Sequence, residues 1–572
     1  MKWIRVNMAN QSIQVETVPE AYTGLGGRGL SAAVIHAEVP PTCDALGPEN
    51  KLVIAPGLLS GTPLVNTSRI SIGAKSPLTG TIKESNSGGK IAASLGKLGI
   101  TAIVIEGRAP AGHIYLLSVD ANGDARLEAA DPYKGMRTYA LTARLLESYG
   151  SKNTIACIGP AGEYQLKSAS IQTTDVDDRP CRAAGRGGLG AVMGSKGLKA
   201  IVVSTEGSNP DVISDPESFK ESAKTFAQEL RKNPFTGKVL PNFGTASTVS
   251  AVNSLGAFPC YNATRGVFDG WEKISGEALA KLIKTRGGKT QHMGCAQCIV
   301  HCSNEFVDEQ GKYVTSSLEY ETIWSMGGML GIDDLDTIAR LDFLCDDIGL
   351  DTINTGVAMA VAMDAGYKSF GDGRAAVDMV EEVARGTEMG RLIGNGPDAV
   401  GKHFNHHRVP TVKGQSIAAY DPRGMQGNGV TYATSTMGAD HTAGNMLGHY
   451  LSGALKPLAA EGQVDASRKV QIGMAAMDCT GMCILAGVGM ATKEASGAMF
   501  AMLSAKLGQA IGPKEYAQMG MRTLKLERDF NQKAGLTNKD DRLPRFFCEE
   551  PLPPHNQVFV VSDEALDQLY NF

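Results

Sequence analysis

Three cysteines in the segment Gly294-Cys295-Ala-Gln-Cys298-Ile-Val-His301-Cys302 are spaced closely enough to turn toward one metal centre. Thiolate sulfur is a soft, polarizable donor, and short Cys-rich loops of this kind hold iron–sulfur clusters. Three ligands leave one iron open. Cys483, in Asp478-Cys479-Thr-Gly-Met482-Cys483, is the natural fourth, and Cys479 competes with it four residues earlier. The spacing also admits a structural zinc site drawing on Cys295, Cys298, His301 or Cys302. Buried thiols packed as small hydrophobes are a third reading. The cluster is the best of the three. Cys43, Cys157, Cys181, Cys260, Cys345 and Cys548 are scattered, and core packing is expected of each.

Two glycine-rich segments suit an anionic ligand. Thr67-Ser-Arg69, followed by Lys83-Glu-Ser-Asn86-Ser-Gly88-Gly89-Lys90, combines bare backbone with cations, and so does Arg182-Ala183-Ala184-Gly185-Arg186-Gly-Gly-Leu-Gly190. Backbone N–H groups in such turns cradle phosphate, and arginine adds bidentate bonds. Neither segment is a Walker or Rossmann fingerprint. The remaining acid–base candidates are spread out: Glu319 and Glu321 in Glu-Tyr-Glu-Thr, Asp346 and Asp351 in Asp-Asp-Ile-Gly-Leu350-Asp, and His441. On spacing alone, Asp346 and Asp351 read as a solvated helix end. Glu319 and Glu321 would share one face of a strand.

The elements that must position these groups come from a chain of 572 residues, long enough for three to four domains. Its 42% apolar and 20% charged content is that of a globular protein. A net charge of −5 gives no reason to expect nucleic acid or an anionic membrane as partner. The N-terminus alternates like a strand and has no signal-peptide core, so a cytoplasmic location is expected. There eleven cysteines favour metal binding over disulfides. The 68 glycines fall in clusters, as tight turns and close approach to a ligand require.

Residues 1–207 read as strand-rich, with apolar runs at Leu52–Ala55, Ala102–Glu106, Ile114–Val119, Thr154–Ile158 and Ala200–Ser204. Helical patches at Ala92–Leu98 and Tyr139–Tyr149 lie between them. After a polar linker at Glu206–Pro216 the period becomes helical: Phe219, Ala223, Phe226 and Leu230, then Leu335, Ile338, Leu341 and Leu344, then Val377, Val380 and Val383. A second linker is expected around His406–Ser416. The fold class is α+β: a β-rich base of residues 1–207, a helical middle domain of 208–410 and a helical C-terminal domain of 411–572. No solenoid-type repeat is visible.

Taken together, the motifs resemble the aldehyde:ferredoxin oxidoreductase family. They run in order from NKLVIAPGLLSGT (50–62), SRISIGAKSPLTG (68–80) and SNSGGK (85–90) through the Arg182 segment and the CxxCxxxC loop. EYETIW (319–324), DIGLDT (347–352), ATSTMGADH (433–441) and DCTGMC (478–483) follow. The resemblance covers the chain to about residue 490; the last 80 residues add no matching motif. It implies paired β-sheets forming a base, with two helical domains closing over a tungsten or molybdenum ion held by two pterins. It further implies a magnesium ion bridging the pterin phosphates and a 4Fe-4S cluster nearby. By motif, Arg69 would lie between cluster and pterin, Asn86 and Gly88 would contact a pterin and its phosphate, and Arg182, Ala183, Ala184, Gly185 and Arg186 would contact phosphates. The Asn86 carbonyl, with that of Ala183 or Ala184, would bind magnesium. Asp346, Leu350, Asp351, Asp478 and Met482 would grip the pterin rings. The same motif favours Cys483 over Cys479 as the fourth cluster ligand.

For catalysis the resemblance marks Glu321 as general base and His441 as the group that hydrogen-bonds the carbonyl or a metal-bound oxygen. The implied reaction converts an aldehyde to a carboxylic acid and passes electrons through the cluster to ferredoxin or a small iron–sulfur subunit. Alternatives are a same-fold enzyme acting on a carboxylate, aromatic acyl thioester or sulfur compound, and a cluster-only electron-transfer protein. Two departures stand out: Ala443 replaces a lysine common in the family, and Met437 replaces a commonly basic residue. A homo-oligomer fits the sequence. However, no histidine lies between His301 and His403, so the metal bridge between subunits seen in some members is not expected.

Overall fold

The computed structural model describes residues 1–205 and 213–572. The expected linker Glu206–Pro216 and the boundary at 207 fall largely in 206–212, outside the described residues.

Among the described residues, the first 205 form two six-stranded sheets. In the first, the strands run in the order Ser12–Thr17, Lys2–Asn7, Ile100–Glu106, Leu52–Pro56, Ile70–Lys75, Ile82–Ser87. Period-two alternation sorts their side chains. Leu52, Ile54, Ile103 and Ile105 turn into a core shared with the second sheet. Val53, Ala55, Ala102 and Val104 turn the other way, under Leu30, Val34 and Ile35 of the helix Gly27–Glu38. The second sheet runs Arg182–Ala184, Ile171–Thr173, Asn153–Cys157, Leu198–Ser204, Tyr115–Val119, Ala125–Ala129, and the helix Thr138–Tyr149 covers its outer face.

The two sheets repeat one topology. Each begins with a hairpin, passes through a covering helix and a three-stranded antiparallel meander, then a short helix. Each ends in a strand inserted parallel to the first strand of its hairpin. The sequence spacing that sets Gly89 on Gly187 also sets Gly99 on Gly197, and all four adopt positive φ. The same spacing sets Asn86 on Ala184. The strands carrying those two residues lie against each other where the sheets meet.

The helical periods become the helices Pro216–Lys232, Leu335–Ile348 and Gly373–Arg385, whose N-terminal Asp215, Asp334 and Asp372 each accept a backbone N–H. The helix Thr352–Asp364 is buried on all sides from Ile353 to Met363 and forms the axis of the helical part. One apolar core unites this helix with Ile417–Ala419, Tyr432 and Phe547. The second expected linker is therefore no free tether: it contains the hairpin Thr411–Val412 with Gln415–Ser416 and then runs into the core. The helix Pro513–Lys533 packs against both Gln463–Thr480 and Gly27–Glu38, so the chain's end closes on its beginning. Among the described residues, no helix is long and apolar enough to cross a membrane.

Candidate active site

The sheets, the helical part and the C-terminal helices meet at one cavity of about 430 Å³. Arg69, Asn86 and Gly88 reach its wall from the first sheet, and Arg182, Ala183, Gly185 and Arg186 from the second. Cys295, Cys298 and Cys302 come from the middle of the chain, as do Glu321, Asp346, Leu350 and Asp351. His441, Asp478, Met482 and Cys483 also reach the wall. Ala184 is the exception: its side chain lies in the core between the sheets. The second glycine segment is also less of a phosphate loop than its composition suggests. A Cβ on Gly187, Gly188 or Gly190 would strike Lys83, the Lys167 carbonyl or the Ser170 carbonyl, so these glycines serve packing. Lys90 turns away to pair with Asp178.

The cysteine loop is pressed onto the first domain. A Cβ on Gly88 would lie 2.6 Å from Cys295 Sγ and 3.1 Å from Arg69 Nη1. Gly88→Ala is therefore expected to displace Cys295 and lower the iron and sulfide content of the folded protein by at least about half, an effect of overpacking at a site with no slack. Colorimetric iron and sulfide assays beside a circular dichroism spectrum check this. Among the described residues, the only group of three or more metal-binding side chains within 4.8 Å of one another is Asp175, Asp177 and His292. No three of the four thiols lie that close, whereas one zinc ion with bonds of about 2.3 Å would need them to. Cys479 lies elsewhere, its Sγ donating to the Ala475 carbonyl. Of the scattered cysteines, Cys548 is exposed and the other five are buried.

Glu319 and Glu321 lie at the start of the helix Tyr320–Met326, not on a strand, and helical phase separates them. Glu319 accepts a hydrogen bond from Thr245 and lies 3.6 Å from Arg182 Nη1, on the cysteine side. Glu321 turns to His441, with 3.5 Å between Oε1 and Nε2, while its Oε2 accepts from the Ala419 N–H. Burial raises the Glu321 pKa above the usual carboxylate range, against the pull of His441.

Asp346 and Asp351 are buried, so the solvated-end reading fails. Burial raises both pKa values, and it pushes Asp342, one helical turn before Asp346, up to about 7 and Asp478 up to about 8. Asp342 lines the cavity but carries no sequence signal. Asp351 accepts from the Ile353 N–H, while its Oδ2 lies 3.6 Å from Arg186 Nε. Lys83 is paired with Asp440 at 2.8 Å. Met437, in its departure from a basic residue, brings Sδ 3.3 Å from the Glu84 N–H.

Buried polar atoms without a hydrogen-bond partner gather on this wall: Arg182 Nε and Nη2, Arg186 Nε, Glu321 Oε1, Asp351 Oδ2 and His441 Nδ1. Each would cost about 1–3 kcal/mol if left bare. Guanidinium donors beside buried carboxyl groups suit a large ligand that has both phosphates and amide-like ring edges. The residues present therefore fit a phosphorylated pterin, and the thiols fit an iron–sulfur cluster.

Fold and site together define a protein built around a buried cavity for a large cofactor, and sequence comparison gives the family. The model of the aldehyde ferredoxin oxidoreductase N-terminal domain matches residues 3–205, and that of domains 2 and 3 matches 221–572. The chain belongs to the aldehyde ferredoxin oxidoreductase family. Its last 80 residues, which held no recognisable motif, fall within the match. The tungsten-containing aldehyde ferredoxin oxidoreductase of Pyrococcus furiosus is 35% identical over all of this chain and 95% of its own length. The aliphatic sulfonate oxidoreductase WOR-like subunit of the same organism is 28% identical over 73% of this chain and 70% of its own. The active-site complex BamBC of benzoyl coenzyme A reductase shares the fold, with a TM-score of 0.81 at 20% identity, covering 99% of this chain and 92% of that one.

Proposed function

We propose that this protein oxidises aldehydes to carboxylic acids in an anaerobic cytoplasm, using a tungsten or molybdenum ion carried on two pterins. The meeting of the Glu321–His441 pair with both Gly/Arg segments and all four motif cysteines on one cavity wall carries this reading. When bound, the pterin-held metal would supply Lewis acidity and accept an electron pair.

Arg69, Asn86, Gly88, Arg182, Ala183, Gly185 and Arg186 would hold the pterin phosphates and linkers. Asp346, Leu350, Asp351, Asp478 and Met482 would accept from, and pack on, the ring edges. The Asn86 and Ala184 carbonyls are the proposed magnesium ligands, and their equivalence in the repeated topology supports that pairing over Asn86 with Ala183. Cys295, Cys298, Cys302 and Cys483 would hold the 4Fe-4S cluster. Glu321, as carboxylate, would take the proton from water or the aldehyde hydrate at Oε1, which accepts no hydrogen bond within the protein. His441 would donate to the substrate oxygen. The cluster would supply a one-electron outlet, and ferredoxin or a small iron–sulfur subunit is the proposed acceptor.

Anaerobically purified protein is expected to contain tungsten or molybdenum by mass spectrometry and to reduce a viologen dye when an aldehyde is added. Cluster-loaded protein lacking both metals would sink the proposal. Dye reduction with an aliphatic sulfonate or a dienoyl thioester, and none with aldehydes, would move the protein to another branch of the family.

A further inference from the structure

Nothing in the cysteine motifs points to Asn66, yet it touches both segments that carry them. It lies in the loop between the strands Leu52–Pro56 and Ile70–Lys75, buried at 4% exposure, with φ of 59°. Asparagine tolerates that left-handed conformation better than most side chains do. The turn presents four groups to the cysteine segments. The Asn66 N–H donates to the Gln297 carbonyl at 3.1 Å, and the Asn66 carbonyl accepts from the Cys483 N–H at 2.9 Å. Oδ1 accepts from the Ile299 N–H at 3.2 Å, and Nδ2 donates to Cys298 Sγ at 3.2 Å. The Ile299 bond settles the amide's orientation: a backbone donor requires oxygen on its side, so the NH2 faces sulfur.

We propose that Asn66 is the positioning residue of the iron–sulfur site, joining Cys483 to the Cys295–Cys302 loop and raising the cluster's reduction potential through its N–H···S bond to Cys298. The inference rests on the cluster reading above. Reduction adds negative charge to the cluster and its thiolates. A donor to sulfur stabilises the reduced form more than the oxidised one, so the potential rises. In this buried setting, with little water to compete, the bond is electrostatically strong. A residue that merely stapled the loop would leave the potential where it was.

The test is a potentiometric titration of the anaerobic holoprotein, following the electron paramagnetic resonance of the reduced cluster. Asn66→Asp keeps an oxygen for Ile299 and removes the donor. Asn66→Gly keeps the left-handed backbone and both main-chain bonds and removes the amide. Both midpoints are expected to become more negative by roughly a tenfold change in the reduction equilibrium, about 59 mV for one electron. Asn66→Asp should move further because it adds charge. The resonance reports only loaded clusters, so partial iron loss does not hide the shift. Wild-type midpoints in both variants would overturn the proposal. A wild-type protein without any reducible cluster would instead overturn the cluster reading, before a variant is compared.

Discussion

Glu321→Gln is expected to lower kcat for aldehyde oxidation by roughly 10²–10⁴-fold, the usual contribution of a positioned general base, while metal and cluster contents stay at wild-type levels. The glutamine keeps an acceptor for the Ala419 N–H, so the helix Tyr320–Met326 should hold its place. Only the ability to take a proton is lost. The pH profile separates this from a structural effect. A base works as carboxylate, and burial raises the Glu321 pKa, so activity should fall as pH drops through a value above the ordinary carboxylate range. In Glu321→Gln that acid limb should disappear from what activity remains. Stopped-flow reduction of the metal centre across pH would check both points. Near-wild-type kcat, or an unchanged acid limb, would remove Glu321 from the proton path. Glu319→Gln is the control, because its carboxylate faces Thr245 and Arg182 and should leave the limb intact.

The separate placements of Glu319 and Glu321 show what sequence reading reaches. Helices with a solvated face, such as Pro216–Lys232 and Gly373–Arg385, declare themselves by period because one side meets water. The strand Ile82–Ser87 reads as a polar loop, yet it is almost wholly buried because the cavity and the neighbouring strands supply its partners. The phase that turns Glu321 to His441 depends on where a helix starts, which is the least legible feature of a sequence. The family motifs brought nearly every predicted residue to the cavity. The repeated topology left a short trace at one spacing: Gly89 with Gly187, Gly96 with Gly194, Gly99 with Gly197, and the Ala102–Val104 run with Ala200–Val202. Asn66 left less, since a lone asparagine in a loop looks like any turn residue. Its meaning comes from Cys298 and Cys483, which are remote in the chain.

Contacts between the two ends of the chain are the extreme case, and they carry the largest expected effect on stability. Arg28 and Glu527 are 1% and 2% exposed and share two hydrogen bonds of 2.8 Å. Arg28 also reaches Asp478 at 3.3 Å. The pair therefore joins helices Gly27–Glu38 and Pro513–Lys533 directly behind the cavity wall. Breaking a buried pair strands an ion, at a cost of about 3–5 kcal/mol, whereas replacing both partners by well-packed apolar groups is often neutral. Glu527→Gln is expected to lose about that much, read as a lower thermal unfolding midpoint in metal-free protein. The double variant Arg28→Met, Glu527→Leu should recover most of it. Tungsten content should separate the two roles of Arg28. The double variant regains stability, but Asp478 has then lost its hydrogen-bonded cation. Burial pushes that carboxyl up to about 8 against the pull of Arg28, and without the hydrogen bond that orients it Asp478 should hold the pterin less well. A stable double variant with full tungsten content would show that Arg28 serves the fold alone. A stable variant with depleted tungsten would tie the seam between the chain's two ends to cofactor retention.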